Sequence, residues 1–443
     1  MASAAEQLAS NLNFAAFSKA SELKKRIWFT LGALLVYRLG TYIPLPGINP
    51  DALAQAFSGA QRGLLGLFNM FAGGAVGRMA IFALGIMPYI SSSIIIQLLT
   101  TVVPSLEALK KEGESGRKII NQYTRYLTVI LAVVQAYSIA IGLEAAQNVV
   151  IEGGWFFRAS TTVTLVGGTM FLMWLGEQIT ARGIGNGISL IIFAGIVAGL
   201  PTALAGTLEL GRQGAISTVV ILAIIVLVVV VIAFIVFMER AQRRLLIQYP
   251  KRQQGNRIFQ GESSHLPLKL NTSGVIPPIF ASSLLLIPAT ASSFAASANI
   301  GWLTTVTTLL GHGQPLYMAL YAALIVFFAF FYTAIVFNPT ETADNLKKHG
   351  GFIPGIRPGE RTAEYIDTVL TRITVLGAIY LVLVCLLPEF LISATGVPFY
   401  LGGTSLLIVV SVTMDTVSQV QGHLLAHQYE GLVKKAKLGG KRR

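Results

Sequence analysis

His423 and His427 stand four residues apart, the spacing that places two imidazoles on one helix face. A zinc site needs further ligands. No further histidine or cysteine lies near them in sequence, so the pair reads as solvated tail residues. His265, His312 and His349 are isolated. Gly183, Gly185 and Gly187 alternate in GIGNG, which is not the G-x-G-x-x-G of a dinucleotide loop, and no strand pattern precedes it. A hinge or a close helix approach suits these glycines better. No phosphate-cradling G-x-x-x-x-G-K-[ST] occurs. The single cysteine, Cys385, lies in the apolar run LVLVCLL and reads as a small core residue. One cysteine excludes a disulfide framework and a cysteine-based metal cluster. Of the 20 acids, Asp415 alone falls well inside an apolar run, and a proton relay needs more than one such group. Arg38 and Arg78 lie near run ends, from which they can snorkel. The remaining polarity of the runs is uncharged: Ser91, Ser92, Ser93, Gln97, Gln135, Asn271, Thr272 and Ser273. Ordinary interhelix hydrogen bonding accounts for such residues. This set predicts no catalytic residue, no metal site and no cofactor. The chain reads as a passage whose energy comes from elsewhere.

The elements around these residues must therefore be membrane spans. Charged residues make up 12% of the 443-residue chain, about half the usual share of a soluble domain. The hydrophobic share is 53%, the mean hydropathy +0.67 and the formal net charge +13. A disordered chain, a collagen and an ordinary cytosolic enzyme are excluded. A spanning helix needs about 20 mostly apolar residues. Ten candidates meet that need: 26–43, 78–103, 124–143, 160–178, 187–204, 215–238, 272–290, 316–337, 371–391 and 400–421. Residues 1–25 carry Lys19, Lys24 and Lys25 without a signal-peptide pattern, and read as a cytoplasmic N-terminal segment.

Lys and Arg set the orientation. With the N-terminus cytoplasmic, all but five of the 33 fall on the cytoplasmic side; Arg38, Arg62, Arg78, Arg158 and Arg212 lie outside. Both termini are then cytoplasmic and the basic tail is 422–443. Orientation alone does not require cytoplasmic loops as long as 239–271 and 338–370. Loops beyond about 12–15 residues usually have a job. Two basic ones on the same side suggest docking of an acidic or RNA-containing partner.

Ten spans divide as five and five. The expected first half is 26–204, an external hinge loop is 205–214, and the second half is 215–421. Five is odd, so the halves run inverted, a common transporter and channel plan. The segment 64–71 is apolar but only eight residues long, and Gly73 and Gly74 follow it. It cannot cross about 30 Å of hydrocarbon. It reads either as a re-entrant half-helix on a glycine hinge or as a helix lying on the outer surface.

The runs GIMPYISSSIIIQLL (85–99), GEQITARGIGNGISLIIFAGI (176–196), FNPTETADNLKKHGGFIPGIRPGERT (337–362) and FYLGGTSLLIVV (399–410) closely resemble the bacterial SecY translocon family. KKEGESGRK (110–118) and KRQQG (251–255) do so too. The resemblance runs through nearly the whole chain. It implies an all-α polytopic membrane protein with ten transmembrane helices in two inverted halves around an hourglass pore, and a short re-entrant plug helix at 64–73. The plug residues would be Leu64, Leu65, Leu67, Phe68, Met70, Phe71, Gly73 and Gly74.

Carried over position by position, the resemblance places the pore ring on Ile86, Ile90, Ile188, Ile192, Ile279 and Ile408. Ile86/Ile90 and Ile188/Ile192 are each i,i+4 pairs, so each shares a helix face. Branched aliphatics at a narrow waist exclude water and gate by dewetting. A lateral gate between spans two and seven would carry Ser91, Gln135 and Asn271. Docking of a SecA motor ATPase and of the ribosome would fall on Arg243, Arg244, Lys251, Arg252, Arg257, Lys347, Lys348 and Arg357. Many relatives carry two consecutive arginines after QQG, where this chain has Asn256-Arg257.

The resemblance also implies SecE-like and SecG-like small membrane subunits in a heterotrimer, and allows a dimer of such heterotrimers. Signal-sequence-bearing preproteins and membrane lipids would be the other partners, and the bacterial plasma (inner) membrane the location. The implied function is a protein-conducting channel, not an enzyme. An ion-coupled secondary solute transporter would also suit ten inverted spans, but the shortage of mid-span charge and the two basic loops argue against it. An intramembrane protease would need an acid pair or a Ser/His arrangement that the spans lack.

Overall fold

The computed structural model describes residues 21–60, 69, 71–146, 148–214, 217–249, 252–254, 257–259, 263–285, 314–395 and 403–439. In chain order the helices are α1 Ser21–Gly40, α2 Pro50–Ala60, α3 Met87–Val102, α4 Pro104–Lys111, α5 Glu114–Ala145, α6 Trp155–Arg182, α7 Gly187–Arg212 and α8 Thr218–Arg240. After α8 come β1 Gln242–Gln248, β2 Arg252–Gln254, β3 Arg257–Phe259 and β4 Ser263–Lys269. The helices α9 Ile276–Leu285, α10 Pro315–Val336, α11 Pro339–Lys348, α12 Glu360–Thr395 and α13 Gly403–Gly439 complete the chain.

Each of the ten expected spans contains a helix. Among the described residues seven helices are long and apolar enough to cross a membrane, or eight if the bent pair α3–α4 is one span. That pair turns by 97° at Val103. Pro104 disfavours helical backbone at the residue before it, and Val103 is extended. The chain folds into two compact units: 1–202 with 286–308 and 412–443, and 203–285 with 309–411.

Three stretches differ from expectation. The second span was expected from residue 78, but its helix begins only at Met87. Residues 72–86 form a chain of tight turns instead, with Gly73, Gly74 and Gly85 at positive φ and Met79 at φ 42°. These turns are buried: Ala75, Ala80 and Ala83 have no exposed surface. Their amides stay satisfied, with Ile81 N–H donating to the Ile43 carbonyl and Leu45 N–H to the Met79 carbonyl, both at 2.9 Å. Secondly, 205–212, expected as an external loop, continues α7 through to Arg212. Its Ala- and Leu-rich composition sustains a helix past the internal Pro201. Finally, the first long basic loop is built of β-structure. β1 and β4 pair antiparallel from Gln242–Lys269 to Gln248–Ser263, and β2 pairs with β3.

In the first unit, α5 and α6 are tied by ion pairs near both ends. Arg125 grips Glu177 through Nε and Nη2 (2.8–3.1 Å), and Arg158 pairs with Glu144. Glu144 also accepts from the Gly154 amide that opens α6. Ser92 Oγ donates to the Thr124 carbonyl and stitches α3 to α5.

Candidate functional site

The ring isoleucines sit where helices begin. Ile86 is the N-cap of α3, and Ile90 N–H donates back to its carbonyl at 3.1 Å. Both are buried, as is Ile192, while Ile188 is half-buried. The start of α7 is held from three sides. Asn186 Oδ1 accepts from the amides of Ile188 and Ser189 and caps the helix. Thr180 Oγ1 accepts from the Gly187 amide, and Gln419 Oε1 from the Gly185 amide. A Cβ at Gly187 would meet the Gly176 carbonyl oxygen at 2.0 Å, so α6 and α7 touch backbone to backbone there. Close helix approach is thus the role of Gly187 in GIGNG, and Gly185 adds a positive φ of 85°. In the second unit Ile279 lies in the first turn of α9 and is buried, and Ile408 on α13 has no exposed surface.

Of the polar gate residues, Ser91 is buried on α3 and Gln135 half-buried on α5, both in the first unit. Asn271, in the second unit, is fully engaged. Its Nδ2 donates to Glu239 Oε1 at 2.7 Å and to the Gly274 carbonyl at 3.1 Å, and its Oδ1 accepts from Ser273 Oγ. Tyr380 OH donates to the same Glu239 oxygen. A Cβ at Gly377 would stand 2.7 Å from the Leu270 carbonyl, so α12 presses on the turn from which α9 springs. Asn271 therefore roots α9 within its own unit. Sequence reading missed Glu239, because its partners Asn271 and Tyr380 lie 32 and 141 residues away in the chain.

The two long basic loops form one lobe. Leu245, Leu268, Ile353, Ile366, Val369 and Ile373 make a single buried cluster, with Leu346 and Ile356 packed against it. It draws on β1, β4, the 351–357 turn, α11 and the first turns of α12. Gln248 and Phe352 exchange backbone hydrogen bonds at 2.9 and 3.0 Å, which fastens the second loop to the first. Around this core Arg243, Arg244, Lys347, Lys348 and Arg357 are all exposed. Among the described residues none of the five pairs with a carboxylate. Arg357 sits between Gly355 and Gly359, both at positive φ, and its carbonyl accepts from Thr362 Oγ1. Ile353 and Ile356 anchor the near side of that turn in the core. Arg252 and Arg257 stand on the short β2–β3 pair. Lys251 and Asn256 lie outside the described residues, as do the plug residues Leu64, Leu65, Leu67, Phe68 and Met70.

The SecY family model matches residues 80–417, more than half of the chain. The chain belongs to the SecY family. Among its curated relatives, the protein translocase subunit SecY of Vibrio cholerae is 58% identical over 95% of this chain and 96% of its own length. The Escherichia coli K12 subunit of the same name gives the same values. That of Rickettsia conorii is 57% identical over 95% of this chain and 99% of its own. Solved structures with this fold include one described as a protein-conducting channel, with TM-score 0.66, 18% identity and coverage of 90% and 92% of the two chains. Another concerns the plug domain of SecY in the closed channel, with TM-score 0.64 and 19% identity over the same shares. This SecY-family chain is a multi-pass membrane protein and a protein-conducting channel subunit.

Proposed function

We propose that this chain is the pore of the channel, with a dry waist formed by Ile86, Ile90, Ile188, Ile192, Ile279 and Ile408. The observation that carries this reading is the aliphatic, ion-free character of all six positions, each at or within two turns of a helix start. Aliphatic side chains hold out water yet make no specific bond to a passing polypeptide. The plug at 64–73 closes the outer funnel, and spans two and seven part to release apolar segments into lipid. The halves 26–204 and 215–421 open as a clamshell. In this reading Ser91, Gln135 and Asn271 lie along that seam.

The lobe is the docking face for a motor ATPase of the SecA type and for the ribosome. Its exposed, unpaired cations support that assignment, and one structural neighbour is described as Sec61 in a ribosome–channel complex. SecE-like and SecG-like subunits complete a heterotrimer in the bacterial inner membrane, with both termini cytoplasmic. The chain itself catalyses no reaction; force comes from its partners.

The test replaces Ile86 and Ile192 with Asn in the reconstituted channel. Closed-state ion conductance should rise, and preproteins with weakly apolar signal sequences should gain export. Wild-type conductance together with unchanged signal stringency would make these residues packing only. Solute-dependent ion flux by the purified chain alone would favour a transporter instead.

A further inference from the structure

Arg38 and Arg78 have no role in the waist or in the docking lobe. Both lie in the first unit, and among the described residues neither pairs with a carboxylate. Their donors go instead to backbone, to Tyr42 and, from Arg38 Nη1 at 3.4 Å, to the Thr41 hydroxyl. Arg38 Nη1 donates to the Gly73 carbonyl at 2.8 Å, and Arg78 Nη2 donates to the same oxygen at 3.2 Å. Arg38 Nη2 donates to Tyr42 OH at 2.7 Å, while the Arg78 guanidinium lies over the Tyr42 ring at 4.1 Å. Arg78 Nε reaches the Thr41 carbonyl.

The segment they hold is the C-terminal root of the plug. Asn69 closes it into a turn: its carbonyl accepts from the Gly74 amide and its Oδ1 from the Gly77 amide, both at 2.8 Å. Gly73 and Gly74 take positive φ there. The turn also beds against α7, because a Cβ at Gly195 would meet the Phe71 carbonyl at 2.8 Å and the Gly73 amide at 3.2 Å. A Cβ at Gly73 would strike Tyr37 OH at 2.9 Å. The plug root therefore sits against α1 and α7 with no spare side-chain volume.

We propose that Arg38 and Arg78, joined through Tyr42, are a latch that holds the plug root closed by gripping the Gly73 carbonyl. This rests on the reading of 64–73 as the plug. The acceptor is a backbone oxygen, so the grip is independent of which side chains the plug carries. Charged donors make hydrogen bonds roughly twice as strong as neutral ones. Arg38 is the decisive partner, since it reaches 35 residues along the chain from α1, whereas Arg78 lies only five residues from Gly73 and moves with the turn. Arg78 acts through the Tyr42 ring, which ties the turn to the end of α1. Sliding the plug root off α1 breaks the Arg38 bond and the Arg78–Tyr42 stack together, so the root leaves in one step rather than by fraying. Arg38, Arg78 and Tyr42 are accordingly positioning residues of the gate.

The test measures closed-channel ion conductance in planar bilayers for the full channel complex at matched channel levels. Arg38→Gln should raise leak openings roughly tenfold, the loss expected for one charged hydrogen bond. Arg78→Gln should raise them less, and Tyr42→Phe least, because it keeps the ring. In a second series each substitution is placed on a chain lacking 64–73. There the substitutions should add nothing, since the latch has nothing to hold. Tight closure by Arg38→Gln beside a leaking deletion would overturn the latch and leave the plug standing. Extra leak from Arg38→Gln on top of the deletion would also overturn it, by showing general damage. A deletion that does not leak would remove the plug reading and the latch with it. Should the glutamine variants fail to assemble, Arg38→Lys, which keeps one charged donor, must leak by an intermediate amount; wild-type closure by that variant would refute the latch.

Discussion

Two of the described regions, the turns at 72–86 and the lobe built from 242–269 and 339–370, solve the same problem in opposite ways. Both must satisfy backbone outside helices. The turns at 72–86 do it with small residues, left-handed glycines and backbone bonds to neighbouring strands of chain, and they bury almost everything. The lobe does it with a hairpin and a small aliphatic core of its own, and leaves its cations in water. Arginine shows the contrast most directly. Arg38 and Arg78 spend their donors on carbonyls and hydroxyls of the chain itself, while Arg357 is exposed and, among the described residues, pairs with no carboxylate. Irregular backbone in a dry setting has to be over-determined, and in a wet setting it has only to be anchored.

The contrast makes substitutions in the two regions unequal. The largest effect should come from Gly168→Ala on α6, where a Cβ would stand 2.1 Å from the Ile81 carbonyl within the buried turns. Backbone on both sides cannot yield, so a cost of about 3 kcal/mol is expected. Loss of assembled channel, followed by thermal aggregation of the purified complex, measures it. Wild-type melting would show that the backbone of 72–86 yields.

Next comes Arg357→Glu. In the proposed docking role, reversing its charge costs several kcal/mol, so motor-driven import of a preprotein into vesicles should fall roughly hundredfold. Insertion and subunit assembly should hold, because Lys347, Lys348 and Arg361 keep the positive bias of that side. Arg357→Lys should recover part of the import, lacking the planar fork. Wild-type import by the Glu variant would end the comparison, since Arg357 would then be as idle as any orientation charge.

A smaller effect is expected for Leu268→Ala in the lobe core. Leucine-to-alanine changes cost about 2–5 kcal/mol in a rigid core, and a lobe open to water should relax toward about 2. The loss should stay local: protease sensitivity of the 242–269 hairpin should rise while closed-state leak stays at wild type. A rise in leak would show that the lobe and the waist are one cooperative body.

The smallest effect should be Gly351→Ala. Its Cβ would meet the Tyr249 ring at 3.0 Å and an Ile247 methyl at 3.1 Å, both side-chain atoms that can shift, so about 1 kcal/mol or less is expected. The measurement is hydrogen exchange at the Gln248–Phe352 backbone pair. A cost equal to that of Gly168→Ala would erase the difference between the two regions.

What the sequence determined by itself was the location of the spans, because a membrane demands about 20 apolar residues at a stretch and that demand is local. The cationic bias was also readable, since it is compositional. The resemblance supplied the candidate ring, which apolarity alone could not separate from packing. Tertiary structure alone decided the rest. Residues 78–86 are as apolar as a span, yet they turn, because glycines and alanines let α6 approach their backbone. The two basic loops read as separate charge runs, yet Leu245, Ile353 and Ile366 join them into one core over a sequence distance of more than 100 residues. Asn271 read as an uncharged polar residue at a span start, and only packing supplied Glu239 and Gly274 as acceptors for its donors. Arg38 and Arg78 read as snorkelling charges, yet both meet at the carbonyl of Gly73. Composition and periodicity report what each segment needs from its surroundings, while a hydrogen-bond partner distant in sequence is fixed only when packing brings the two segments together.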